Sequence, residues 1–121
     1  MKKYLLIMTL FGTLFGSRAQ KAENIKILSI EEFKTAVAQK GIQLVDVRTS
    51  REYKAGHIKN ALNIDFFNAT QFKSAFEKMD TSKPVYLYCR SGSRSQKAAR
   101  RLSEMGFIQI YDLKGGYLAW H

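Results

Sequence analysis

Cys89 is the only cysteine in the chain, and it opens the run Cys89-Arg90-Ser91-Gly92-Ser93-Arg94. A thiol attacks other atoms as its thiolate, and fixed positive charge or a helix N-terminus favours that form. The run offers both. A helical pattern begins at about Ser95, so unpaired backbone N–H groups at the helix start can cradle negative charge. Arg90 and Arg94 supply fixed charge and forked donors suited to oxyanions. Gly92 permits a left-handed turn, and the hydroxyls of Ser91, Ser93 and Ser95 can hydrogen-bond a bound anion. This chemistry is that of a cysteine nucleophile acting on a small anion.

Each residue also has a plainer role. A free cysteine is most often a buried structural thiol; the strand-loop-helix setting, Gly92 and the two arginines together outweigh that reading for Cys89. Ser91 serves equally well as a turn residue, and Ser93 as the cap of the helix. Arg94 reads as an anion ligand ahead of a solvated first-turn residue, and Arg90 does so more narrowly. Lys97 and Arg101 follow Arg94 at helical spacing and read as a solvated basic face.

The elements that must position this loop can be read from periodicity and caps. Ile25 to Leu28 reads as a strand, and Ser29 with Glu32 as a capping box opening a helix to about Gln39, stopped by Gly41. Ile42 to Val47 is a buried strand. Thr49 or Ser50 caps a short helix that Gly56 ends, and Ala61 to Ile64 is a brief extended piece. Asn68 with Gln71 opens a helix to about Met79, with Phe72, Ala75, Phe76 and Met79 on one face. Val85 to Tyr88 is the strand leading into Cys89, with Pro84 at its start, where its missing N–H does least harm. In the helix that follows, Ala98, Leu102 and Met105 fall on one stripe. Phe107 to Asp112 is the last strand, and Gly115-Gly116 leads into a short final helix. Strands that alternate with helices predict an α/β fold with a largely parallel sheet flanked on both faces. In such sheets sites gather beyond the carboxyl ends of strands, where Asp46-Val47-Arg48 and Cys89 both fall.

The length of 121 residues fits one domain, and a 45% hydrophobic, 12% aromatic composition supports one core. The first residues carry a different pattern. Lys2 and Lys3 precede an apolar stretch from Tyr4 to Phe15, and Ser17-Arg18-Ala19 places small residues before a cut. This is a secretory signal pattern; the stretch is too short for a spanning helix, which needs about 20 residues. The expectation is a signal peptide over residues 1–19, cleaved after Ala19, and one domain over 20–121 exported to the periplasm or the medium, with no membrane attachment afterwards. A net charge of +10 favours anionic partners. No nucleic-acid motif accompanies that charge, which leaves a small anion at a focused site. A single cysteine excludes an internal disulfide and dithiol exchange within the chain.

Three stretches together resemble the rhodanese-domain sulfurtransferases of the single-domain exported type. Asp46-Val47-Arg48, Glu52-Tyr53, Gly56-His57-Ile58, Ala61 and Asn63-Ile64 resemble that family's first signature. Cys89 to Arg94 resembles its active-site loop. Leu113-Lys114-Gly115-Gly116-Tyr117 with Ala119-Trp120 resembles its C-terminal signature. The resemblance covers about residues 27–120. It implies a five-stranded parallel sheet and a double-displacement reaction. Thiolate Cys89 would take the outer sulfur of thiosulfate, releasing sulfite, and pass it from a persulfide to cyanide or to another thiophilic acceptor, a thiol or a protein. Arg90, Ser91, Gly92, Ser93 and Arg94 would bind the substrate. No metal or organic cofactor is implied, and a monomer is the default.

Outside the loop, Arg48 with Glu52 reads as a structural ion pair, His57 as a hydrogen-bonded turn residue and Trp120 as a core anchor. Two other functions remain open at this level. One is a binding or regulatory module that keeps the fold without turnover. The other is a cysteine phosphatase or arsenate reductase. Those enzymes place five residues between cysteine and arginine, whereas four separate Cys89 from Arg94; the shorter loop favours sulfur transfer.

Overall fold

The computed structural model describes residues 23–121; the expected signal peptide and its cut lie outside them. Five strands, β1 (Ile25–Leu28), β2 (Gln43–Asp46), β3 (Leu62–Asn63), β4 (Val85–Tyr88) and β5 (Ile110–Leu113), alternate with four helices. The helices are α1 (Ile30–Val37), α2 (Ser50–Ala55), α3 (Ala69–Glu77) and α4 (Ser93–Glu104), and a 3-10 turn, Tyr117–Ala119, follows β5. The strands form one sheet in the order β1-β5-β4-β2-β3. Every pairing is parallel, so the sheet expected to be largely parallel is wholly so.

The helix starts follow from side chains that satisfy orphan first-turn donors. Ser29 and Glu32 form the expected capping box on α1. Thr49 and Glu52 form a second on α2, and Asn68 accepts from the Gln71 N–H at the start of α3. The start of α4 differs from expectation. Its cap is Gly92, at φ 122°, and no side chain caps it. Ser93 is instead the first helical residue. A serine cap would occupy one of the N–H groups that face the cysteine loop; a glycine cap leaves them free.

β4 shows how the sheet builds two cores. Its alternation sends Val85 and Leu87 to the α3/α4 face and Tyr86 and Tyr88 to the α1/α2 face. On the first face Phe66, Phe72, Phe76 and Phe107 pack in succession, with ring centroids 4.6–6.0 Å apart, and Ala98, Ala99 and Leu102 of α4 close over them. Each phenylalanine buried this way contributes about 1.5–3 kcal/mol. On the second face Phe33 of α1 meets Tyr86 and Trp120 edge-on.

β4 is the central strand, and Asp46 of β2 lies in register with Tyr88 of β4. The loops after β2 and β4 therefore leave the same end of the sheet side by side. The Val47 N–H donates to the Tyr88 carbonyl at 3.0 Å and extends the pairing to the base of the cysteine loop.

Candidate active site

Cys89 sits one residue past β4 and is 1% exposed. The Gly92 N–H donates to its Sγ at 3.0 Å, which curls the loop back onto the sulfur. The thiol in turn lies 3.3 Å from Ser95 Oγ. Ser95 is fully buried in the first turn of α4, and its hydroxyl donates to the Gly92 carbonyl at 3.1 Å. The N–H groups of Ser93, Arg94 and Ser95 are first-turn donors that no helical carbonyl can take. A sulfur anion here meets the Gly92 N–H already in place at 3.0 Å, and a donor fixed in advance holds buried negative charge at low cost.

The glycines of the C-terminal stretch hold the loop from the other side. The Tyr117 N–H donates to the Cys89 carbonyl at 2.8 Å, and the Leu118 N–H to the Arg90 carbonyl at 3.1 Å. These bonds bring the backbone of Gly116 so close that a Cβ there would stand 2.5 Å from the Arg90 carbonyl oxygen and 2.7 Å from that of Cys89. Gly116 also has φ 63°, a left-handed value that favours glycine. Glycine is therefore required at this position twice over, by conformation and by space.

The charged residues pair differently from expectation. Arg48 does not meet Glu52. It forks onto Asp46, with Nη2 2.6 Å from Oδ2, and both side chains are buried. The same Nη2 donates to the Gly56 carbonyl at 2.6 Å, and the guanidinium lies 4.4 Å from the Tyr117 ring centre. Two residues of separation on one strand end let Arg48 fold back on Asp46, so this pair ties the β2 end to the Gly56 turn and the Tyr117 turn. Glu52 takes Arg94 instead, through two bonds of 2.7 and 3.0 Å. The Arg94 fork and the Thr49 cap hold the Glu52 carboxyl down at about 2 against its burial. The fork uses two of the five N–H donors of Arg94, and the guanidinium lies 5.4 Å from the exposed Phe67 ring. The Glu52 carboxylate holds the Arg94 guanidinium pKa up against its burial.

Of the remaining loop residues, Arg90, Ser91 and Ser93 are exposed and Gly92 is half-buried. Arg101 is exposed, as expected of a solvated face, and also packs on the aromatic core. Its guanidinium lies 4.4 Å from the Phe66 ring centre and 5.7 Å from that of Phe72, capping the aromatic core. His57 Nδ1 lies 2.8 Å from the Tyr53 carbonyl, and its ring stacks on Tyr53. A cleft of about 680 Å³ lies on the α1 side, lined by Lys34, Lys40, Lys59 and Trp120 among others, and contains none of the loop residues.

Two partners of the loop escaped the sequence reading. Gln96 and Asp112 are joined by a 2.6 Å hydrogen bond beneath the first turn of α4. The signal for Asp112 was present: a carboxylate inside the apolar strand Ile110-Tyr111-Asp112-Leu113 is out of place unless it serves something nearby.

Comparison with known proteins agrees with this geometry. The rhodanese-like domain model matches residues 29–121. The uncharacterized protein YqhL of Bacillus subtilis is 42% identical over 96 residues, spanning 79% of this chain and 72% of its own length. The thiosulfate sulfurtransferase GlpE of Shewanella oneidensis is 35% identical over 98 residues, 81% of this chain and 94% of its own. Among solved structures, a rhodanese-like domain protein from Staphylococcus aureus superposes with a TM-score of 0.69 at 29% identity, covering 79% of this chain and 91% of that one.

Proposed function

This chain belongs to the rhodanese-like family, and on that premise we propose that it moves the outer sulfur of thiosulfate through a persulfide on Cys89 to a thiophilic acceptor. Its relatives named thiosulfate sulfurtransferase support sulfur transfer as the general activity. The observation that carries the finer reading is the Cys89 sulfur held 3.0 Å from the Gly92 N–H, at the base of a loop that Gly116 clamps from behind.

The reaction has two displacements. Cys89 thiolate attacks the outer sulfur of thiosulfate, the sulfur–sulfur bond breaks, and sulfite leaves with the electron pair. Cyanide, a thiol or a protein acceptor then attacks the outer sulfur of the persulfide, and Cys89 thiolate returns. Covalent catalysis of this kind splits one hard step into two easier ones. Arg90 and Arg94 draw the dianion to the loop, and the N–H groups of Gly92, Ser93 and Arg94 hold the anionic sulfur. No general base is needed once the sulfur is ionised. The protein works as an exported monomer, after removal of residues 1–19, and without nucleic acid or a cofactor.

Thiocyanate formation from thiosulfate and cyanide tests this reading. The wild type turns over, and Cys89→Ser reduces the rate to background. Turnover that survives in Cys89→Ser overturns the persulfide route.

A further inference from the structure

The cleft on the α1 side is a site that sulfur transfer leaves unused. Its volume of about 680 Å³ falls within the range of about 300–1,000 Å³ that small-molecule sites occupy. Two of its lining residues, Leu44 and Ile58, are only 5% and 3% exposed and give it an apolar floor. Trp120 also lines it and is half-buried. The indole is anchored, because it meets the fully buried Phe33 ring edge-on at 6.2 Å between centroids. An aromatic face held in this way is a ready surface for a flat ligand.

The charge around this floor has one sign. Lys34, Lys40 and Lys59 line the cleft, and no aspartate or glutamate does. The two ion pairs among the described residues, Arg48 with Asp46 and Arg94 with Glu52, involve none of these lysines. Lys34 Nζ lies 5.4 Å from the centre of the Trp120 ring, so a cation and the aromatic face are presented together. Lysines gathered in a cleft without counter-charge attract an anion. The buried floor and the indole give a bare inorganic ion nothing to pack against, and they favour an anion that carries an apolar body.

We propose that this cleft binds a small organic anion with a flat apolar body and an acidic group, the class of the aromatic carboxylates. The body lies against Trp120 over Leu44 and Ile58. The acidic group sits among the ammonium groups of Lys34, Lys40 and Lys59, whose apolar stems extend the floor. The site is separate from the cysteine loop. Leu44, Ile58 and Trp120 belong to the core on the α1/α2 face, whereas Cys89 belongs to the core on the α3/α4 face. Binding here therefore requires neither the thiol nor a sulfur donor.

Naphthoate is the probe, followed by NMR of the nitrogen-labelled protein. Trp120 is the only tryptophan in the chain, so its indole N–H gives a single resonance that reports on the cleft. That resonance and the amides of Gly41 and Asn60, which also line the cleft, are expected to move along one saturable curve, while those of Gly92 and Ser93 stay in place. Naphthamide, the neutral analogue, and acetate, the anion without the ring, are each expected to bind at least about tenfold more weakly. A variant carrying Lys34→Gln, Lys40→Gln and Lys59→Gln is expected to lose at least about tenfold in naphthoate affinity. A control with the same change of charge, Lys73→Gln, Lys78→Gln and Lys83→Gln, alters exposed lysines of α3 and the loop after it and is expected to lose less than about twofold. All six lysines are exposed, and the same spectra show that each variant is folded. Equal binding of naphthoate and naphthamide, equal losses in the two variants, or shifts confined to the cysteine loop would each overturn the proposal. Loss of sulfur transfer in Cys89→Ser leaves the naphthoate titration unchanged, so the two readings stand or fall apart.

Discussion

At the scale of single residues, the site is built from groups that constrain one another. The Cys89 sulfur is pinned by one backbone donor and one hydroxyl, and behind them lies a carboxyl short of a partner. That carboxyl has a consequence for stability. Its folded pKa is raised from 3.8 to about 6, so the folded state binds the proton more tightly than the unfolded chain. The stabilisation from that proton is full below about pH 4 and is lost as pH rises through 6. The Asp112→Asn protein is therefore expected to melt higher than the wild type at pH 7, by the equivalent of about 1–3 kcal/mol, and the advantage is expected to vanish near pH 4. Calorimetry across that range decides it; equal melting temperatures at pH 7 would show that burial of Asp112 carries no cost.

At the scale of elements, the loop depends on two neighbours in space that are remote in sequence. The Gly115-Gly116 turn docks on the Cys89 and Arg90 carbonyls, and α2 presents Glu52 to hold Arg94. Gly116→Ala drives a methyl group against both carbonyls at 2.5–2.7 Å in a left-handed conformation. It is expected to destabilise the fold by about 1–3 kcal/mol and to lower sulfur transfer at least tenfold, measured as thiocyanate formation at a temperature where the variant is folded. Unchanged turnover would mean that the turn does not set the loop.

Much of this was legible beforehand because it is local. The Ser29 and Thr49 caps, the alternation of Val85-Tyr86-Leu87-Tyr88 and the stripe of Ala98 and Leu102 each follow from residues within one turn or one strand. So does the loop itself, since strand, cysteine, glycine and helix are contiguous. The ion pairs were not legible. Arg48 has carboxylates two residues behind it and four ahead, and only the strand-end geometry selects Asp46. Glu52 and Arg94 lie 42 residues apart and meet because β2 and β4 are neighbours. Ser93, the cap in one of its two even readings because serine outranks glycine there in general, is instead the first residue of α4, after Gly92.

At the scale of the whole molecule, the sheet order places the central strand under the reactive residue, and helices on both faces bury that strand. No helix among the described residues is long and apolar enough to cross a membrane. Residues 20–121 carry a net charge of +7, which on the proposed function lies around a site for a small dianion. Such a field raises the local anion concentration and is screened by salt over about 8–10 Å. The KM for thiosulfate is therefore expected to rise several-fold between 20 and about 300 mM salt while kcat changes little. A KM indifferent to salt would assign recognition wholly to short contacts in the loop.

The central claim is the persulfide on Cys89, and intact mass spectrometry tests it most directly. Reduced protein is treated with thiosulfate, weighed, treated with cyanide and weighed again. The account predicts a gain of about 32 Da, one sulfur atom, located on Cys89, lost to cyanide and absent from Cys89→Ala. A folded, reduced protein that gains no sulfur from thiosulfate or from a thiol persulfide, or one that gains it equally well without Cys89, would contradict it.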